Sequence, residues 1–370
     1  MAIYMGLMSG TSMDAVDAVL ADFNDRECQP IAYRQFPLPP AVKAQLLATR
    51  SPQVAISVRE YGELDQELGY LFAEAANQLI QVSGLTAREV LAIGSHGQTL
   101  LHHPDGAHPF TLQAADPNII AARTGITTVA DFRRMDMAVA GQGAPLTPAF
   151  HAHMFRQPDQ DRAVLNIGGI ANLTLLPAAG SRPVIGFDCG PGNALLDDWI
   201  LQHKGLSFDR DGQWAISGIA SVELLDVLLQ DDYFQRPPPK STGRDYFNRD
   251  WLQRQLQHID GRLRPEDVQA TLLDLSCSSI ADALKALLPG CGKLLVCGGG
   301  ARNPALMEGL SARLPDMLIC TTMKFGLDPD SIEALAFAWL AKRRLDGLPG
   351  NMPSVTGADR EAVLGGIYAG

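Results

Sequence analysis

Residues 1–23 read MAIYMGLMSGTSMDAVDAVLADF, and the stretch from Gly6 to Asp17 decides the fold. Two apolar runs of strand length, Ile3 to Met8 and Val16 to Phe23, flank a turn that carries Ser9, Gly10, Thr11, Ser12, Asp14 and Asp17. A plain hairpin closes on a dipeptide such as Asn-Gly. This turn instead gathers hydroxyls, carboxylates and exposed backbone N–H groups on one bend, a composition suited to holding an anion.

The pattern returns in DRAVLNIGGIANLTLLPAAG, residues 161–180, where a strand, a Gly-rich turn and a second strand run from Ala163 to Leu176. Two such hairpins, one opening each half, outline an internal duplication. The polar, turn-rich FRQPDQDR at 155–162 marks a boundary, so the expected domains are 1–155 and 156–370. Between the hairpins, Tyr61, Leu64, Leu68, Leu71, Phe72 and Leu79 recur at helical spacing. LTAREVLAIGSHGQTL then reads as a capping box, Thr86 to Glu89, and a strand ending in a Gly-rich turn. ITTVADFRRMD repeats strand followed by polar residues. Later come a helix through EDVQATLLDLSCSSIADALKALL, the strand KLLVCGGGARN, and a last helix in SIEALAFAWLAKRRLDG. That helix has a stripe of Ile332, Leu335, Ala336, Trp339 and Leu340, with Gly347 just past its end. Alternation of this kind predicts an α/β fold.

The chain has 370 residues, 46% of them hydrophobic and 19% charged, enough for two cores. A formal net charge of −11 argues against a nucleic-acid or membrane-surface binder and leaves room for a small anionic ligand on a few local cations. Its first apolar run is short and has no Lys or Arg ahead of it, unlike a secretory signal, and no 18-residue apolar run occurs. Six cysteines without a CxxC pair suit free thiols in a reducing cytoplasm, the expected location.

Phosphates are held by concentrated backbone N–H donors where glycine permits close approach. SGTSMD in the first hairpin, IGGIAN with Gly168 and Gly169 in the second, and CGGGARN with Gly298, Gly299, Gly300 and Asn303 could cradle a nucleotide; each alone is also an ordinary structural turn. There is no GxxxxGK[ST], which excludes a P-loop. Asp14 and Asp17 could hold Mg²⁺ directly or through water, or simply make an Asx-type turn. Asp188, at the end of an apolar strand and ahead of Gly190 and Gly192, has the reach of a general base, with a turn aspartate as the alternative. Asp197 and Asp198 fall on the following helix. SHGQTLLHHPDGAHP gathers His96, His102, His103 and His108 without the spacing of a zinc site. Arg133 and Arg134 sit in a Gly-rich loop where one could grip an anion or make a surface ion pair. Helix capping accounts for Glu333.

Together, GLMSGTSMDAVDAV, SHGQT, DFRRMDMAVAGQGAPLTP, NIGGIANLT, GFDCGPGNALLDDW, PPPKSTGRDYFN, CGGGARNPALM and SIEALAFAWLA closely resemble the bacterial 1,6-anhydro-N-acetylmuramic acid kinases, nearly end to end. The resemblance implies a duplicated α/β fold of the actin-like, ribonuclease H-like class with nucleotide in a cleft. It implies that Gly10, Thr11, Ser12, Met13, Asp14, Ala15, Val16 and Asp17 form the ATP phosphate hairpin, with Ala15 standing where the family often has Gly. It further implies Asp188 as the catalytic base, CGGGARN as the adenosine-side turn, and Arg133 and Glu333 as sugar contacts; of the two turn aspartates, Asp14 is the expected Mg²⁺ contact, through phosphate or water. The implied reaction adds water at the anomeric carbon of the anhydro sugar while O6 takes the γ-phosphoryl of ATP, yielding N-acetylmuramic acid 6-phosphate in peptidoglycan recycling. The expected partners are a small-molecule amino sugar and ATP, with no nucleic acid and no membrane; a homodimer is one assembly left open. A conventional N-acetylhexosamine kinase and a nucleotide-gated binding protein of the actin or chaperone type are the competing readings.

Overall fold

The computed structural model describes residues 1–10, 13–24, 27–49 and 55–370, which divide into two compact units. The first comprises Met1–Met154 with Ser331–Gly370, the second Phe155–Asp330.

In the first unit, β1 (Ile3–Ser9), β2 (Ala15–Phe23) and β3 (Cys28–Pro37) form an antiparallel meander. The chain then crosses over through the helix Val58–Ser83 to β4 (Val90–His103), which lies parallel to β1 and carries β5 (Phe110–Ala114) on its far end. A second crossover, the helix Pro117–Thr124, leads to β6 (Thr128–Ala130), parallel to β4. The second unit repeats this plan. Its β7 (Arg162–Ile167), β8 (Ile170–Leu176) and β9 (Ile185–Pro191) are the meander. Helix Pro265–Leu287 leads to β10 (Lys293–Cys297), parallel to β7, and helix Pro304–Arg313 to β11 (Leu318–Thr321), parallel to β10. The strand orders β3-β2-β1-β4-β6 and β9-β8-β7-β10-β11 are the same, with hairpins where strands are antiparallel and helical crossovers where they are parallel. This is the duplicated, actin-like α/β architecture that the resemblance implies.

Sequence explains the main elements. Ser57 and Glu60 close a capping box at the start of helix Val58–Ser83, Gly84 ends it in the left-handed region, and Leu64, Leu68, Phe72 and Leu79 are its buried face. SHGQT differs from its predicted turn: it lies inside β4, where Gly97 at φ +72 sits near a register shift against β1.

The expected second domain, 156–370, needs a larger correction. Residues 331–370 fold into the first unit, where β12 (Gly366–Tyr368) extends its sheet beside β6 and the helix Ile332–Leu345 lies across β1 and β4. That helix is buried from Ala334 through Ala341, more than one amphipathic stripe provides. Its bed is glycine: a Cβ on Gly6 would stand 1.8 Å from the Ala334 carbonyl oxygen, and one on Gly94 2.0 Å from that of Phe337. Two scattered glycines give no periodic signal, so sequence pattern did not reveal where the helix docks.

Candidate active site

In the second unit, Asp188 lies within β9 rather than after it, held by residues far along the chain. Its Oδ2 accepts the Thr242 N–H at 3.0 Å, its own N–H donates to the Lys240 carbonyl at 3.1 Å, and its carbonyl accepts the Tyr233 hydroxyl at 2.7 Å. Gly190 lets this neighbourhood close, since a Cβ there would stand 2.9 Å from the Phe234 ring. Burial pushes the Asp188 carboxyl up to about 6, and the Thr242 N–H opposes that rise. Asp188 as a residue is half-buried. A carboxylate raised toward neutrality meets the condition that general-base catalysis asks for.

The second hairpin turn abuts this strand. The N–H groups of Gly192, Asn193 and Ala194 donate to Gly169, Gly168 and Gly169 carbonyls at 2.9, 2.9 and 3.0 Å, and Asn193 Nδ2 adds a bond to the Gly168 carbonyl at 3.1 Å. A Cβ on Gly192 would come within 2.5 Å of the Gly168 oxygen, so only glycine fits. Arg244 lies beside Gly169, with its Nε 3.1 Å from where a Cβ would sit, and pairs with Asp198 at 3.4 Å and Asp197 at 3.6 Å. Those two aspartates thus flank an arginine at the turn.

CGGGARN follows β10. A Cβ on Gly298, at φ +77, would meet Asn166 Oδ1 at 2.2 Å, and one on Gly300 would meet Ile167 Cγ2 at 2.4 Å, whereas Gly299 faces open space. Asn303 Oδ1 accepts the N–H groups of Ala305 and Leu306 at 3.1 and 3.4 Å; its carbonyl oxygen is committed to capping helix Pro304–Arg313.

In the first unit, Thr11 and Ser12 lie outside the described residues. Gly10 has nothing within 4 Å of where a side chain would project, and its carbonyl accepts the Met13 N–H at 3.2 Å. Met13, at φ +54, and Val16 send their side chains into the core, so they offer a ligand only backbone. Ala15 opens β2 and is half-buried. Asp17 sits on β2 and accepts the Tyr33 hydroxyl at 2.7 Å and Gln35 Nε2 at 2.9 Å. Asp14 is exposed and paired with Lys43. An exposed carboxylate with one lysine partner could reach a phosphate-bound Mg²⁺ that keeps most of its water; among the described residues no group of three or more His, Cys, Asp or Glu could enclose a metal.

Arg133 lies on the helix Phe132–Ala138, correcting the expected Gly-rich loop. Its Nε and Nη2 reach His96 Nε2 at 3.0 and 2.9 Å, and Nη1 donates to the Gly143 carbonyl at 2.8 Å. His96 Nδ1 stands 2.9 Å from the Gly97 carbonyl, which places the proton on Nδ1 and leaves Nε2 as the acceptor for Arg133. Burial, then the Arg133 charge, hold His96 well below its ordinary range, and it packs on Phe337 at 4.5 Å. Burial pulls Arg133 down to about 10 while the Glu333 and Asp136 charges support it, so it remains cationic at neutral pH. Glu333, in the first turn of the last long helix, belongs to this corner. Asp136 accepts Gly143 N–H, Asn351 Nδ2 and Thr356 Oγ1 at 2.8, 2.7 and 2.8 Å, fixing the loop that Arg133 leans on. Arg134 instead makes the exposed pair, with Asp131 at 2.7 Å. The histidines do not converge: His102 pairs with Thr111 at 3.1 Å and His103 stacks on Phe110.

Residue-level reading missed Tyr233, Lys240, Thr242 and Arg244. Lys240, Thr242 and Arg244 lie in PPPKSTGRDYFN, which has no periodicity and stands out only as a block resembling the family; Tyr233 lies just ahead of it.

A family profile described as "Anhydro-N-acetylmuramic acid kinase" matches residues 2–370. An anhydro-N-acetylmuramic acid kinase from Aliivibrio fischeri is 51% identical over 367 residues, covering 99% of this chain and 98% of that protein. Among solved structures, the activator of the 2-hydroxyisocaproyl-CoA dehydratase from Clostridium difficile with bound ADPNP overlays with a TM-score of 0.46 at 12% identity, covering 94% of this chain and 98% of that one. A ROK family glucokinase from Streptomyces griseus in complex with glucose and AMPPNP gives 0.42 at 13% identity, covering 92% and 100%.

Proposed function

The chain belongs to the anhydro-N-acetylmuramic acid kinase family, and from that premise we propose that Asp188 is the general base of its reaction. The activity is the ATP-dependent, hydrolytic opening of 1,6-anhydro-N-acetylmuramic acid with phosphorylation of O6, giving N-acetylmuramic acid 6-phosphate for peptidoglycan recycling. Neither the conventional hexosamine kinase nor the binding-protein reading is favoured by that membership.

The observation that carries the assignment is the environment of Asp188. One carboxylate oxygen is held by a backbone N–H and burial tunes the group to about 6. Asp188 takes a proton from water as the water oxygen bonds to C1 of the sugar. The C1–O6 bond breaks, O6 takes the γ-phosphoryl of ATP, and ADP departs. Proton removal by a positioned base contributes roughly 10² to 10⁴ in rate.

Arg133, held in orientation by His96 and Gly143, and Glu333 contact the sugar, the guanidinium facing its acidic lactyl side. The backbone of the Gly10–Asp17 hairpin, of Gly168 and Gly169, and of Gly298–Asn303 contacts the nucleotide; open approaches at Gly10 and Gly299 support this. Mg²⁺ would be held at Asp14, directly or through water, and would supply charge neutralisation to the phosphates. We place the reaction in the cytoplasm. The cysteines are free thiols, and no helix among the described residues is long and apolar enough to cross a membrane, both of which accord with that location.

Turnover in ¹⁸O-labelled water tests the reaction. Solvent oxygen is expected on C1, and because O6 leaves from the β face, attack from the opposite face gives the α anomer first. A product lacking solvent oxygen, or a β anomer seen by NMR before mutarotation, would overturn single displacement by water.

A further inference from the structure

The Pro-rich segment that crosses beside β9 does more than present a backbone N–H. Thr242 donates that N–H to Asp188 Oδ2 at 3.0 Å, and its own hydroxyl oxygen is buried with no hydrogen-bond partner among the described residues. Covalent geometry keeps a threonine Oγ1 within about 4 Å of its own amide nitrogen. The hydroxyl therefore lies within about 7 Å of that carboxylate oxygen, on the residue that binds it. Buried hydroxyls in folded proteins are almost always satisfied by protein or by an ordered water, so an orphan beside a catalytic base is a place for a water molecule. The other polar groups nearby are committed: the Tyr233 hydroxyl to the Asp188 carbonyl, and Lys240 Nζ to the Tyr233 carbonyl at 3.1 Å.

We propose that the Thr242 hydroxyl holds and aims the water that attacks the sugar. The water donates one hydrogen to Asp188 and the other to Thr242 Oγ1, which turns an oxygen lone pair toward C1. As the O–C1 bond forms and C1–O6 breaks, the first proton passes to Asp188 and the second stays on the new hydroxyl, leaving Thr242 chemically unchanged. The geometry gives the two halves of one residue separate duties: the N–H occupies one carboxylate oxygen, leaving the other for the water, and the hydroxyl fixes the water. The inference rests on Asp188 being the base.

The test compares Thr242→Val, which keeps shape and backbone N–H but loses the hydroxyl, with Thr242→Ser, which restores it. Thr242→Val is expected to lower kcat on the order of 10- to 100-fold, the scale at which misplacement of a reactant by an ångström is felt. KM for sugar and for ATP should stay within about twofold, and the acidic limb of the pH profile should not move, because the N–H on Asp188 persists. Thr242→Ser should recover turnover to within a few-fold of wild type. A Thr242→Val enzyme with wild-type kcat, even if its melting temperature falls, overturns the inference. So does a serine variant as slow as valine, or a displaced acidic limb, either of which marks a structural role. Asp188→Asn assayed in parallel separates the two readings: an active asparagine variant removes the base itself, whereas an inactive one beside an active Thr242→Val removes only the water-holding role.

Discussion

The two hairpins occupy equivalent places in repeated sheets, yet they put their turns to opposite uses. In the first, the turn is long, Gly10 faces open space and Asp14 is exposed against Lys43. In the second, the turn is Gly168–Gly169, and its carbonyls are taken up by the N–H groups that follow β9. The third strands differ as well. β3 supplies Tyr33 and Gln35 to hold Asp17 on its neighbour, whereas β9 is largely buried and itself carries Asp188. Charge is handled differently too: Arg133 in the first unit stays ionised across the working range, and Asp188 in the second titrates within it. A duplicated scaffold has thus separated fixed charge and an open turn from a titrating carboxylate backed by a closed one.

Removing the titrating group is the harshest way to test this contrast. Asp188→Asn should lower kcat by at least about 10²-fold, the smallest effect expected of a general base. In the wild type, kcat/KM should fall tenfold per pH unit below about 6, as protonation disables the base. The stability effect has the opposite sign. Because the folded pKa lies above the ordinary 3.8, ionisation of Asp188 weakens the fold at pH values above about 6, and this cost vanishes below the ordinary value. Asp188→Asn should therefore be more stable at pH 7 by about 1–3 kcal/mol, after discounting for the solvent that reaches the group. An active or a destabilised variant would each contradict part of this account.

Losing the fixed charge is next. Arg133→Ala should raise KM for the sugar about 10- to 100-fold with little change in KM for ATP, a split that steady-state kinetics reads directly. Equal damage to both would make Arg133 a structural ion-pair partner. The mildest test takes the two turns in parallel. Gly192→Ala drives a methyl into the Gly168 carbonyl and should cost about 2–4 kcal/mol in denaturant unfolding. Gly10→Ala, with free space for its methyl, should change stability by less than about 1 kcal/mol while raising KM for ATP. Equal losses would erase the distinction between closed and open turns.

Both hairpins, the long helix and the helix toward the C-terminus were legible because period-2 and period-3.6 patterns are local. Asp188 and the Gly-rich turns were legible as residue types suited to a site. What sequence did not disclose is non-local: the Gly6 and Gly94 bed for a helix more than 200 residues away, Thr242 against Asp188, and Asn351 and Thr356 on Asp136. Such pairings leave no periodic trace, and the side chains involved are ordinary in type. Glycines crowd the residues after Arg133 and suggest a loop, and the short helix that holds it has no side-chain cap bond to announce it.

The glycine-bedded helix also bears on how the protein is made. The second unit is one continuous stretch, Phe155–Asp330, and can complete its core as soon as that stretch has left the ribosome. The first unit starts ahead of it in the chain but is closed by Ser331–Gly370, so Gly6 and Gly94 wait for a helix that follows each of them by more than 200 residues. The unit that starts first is therefore the last to be closed.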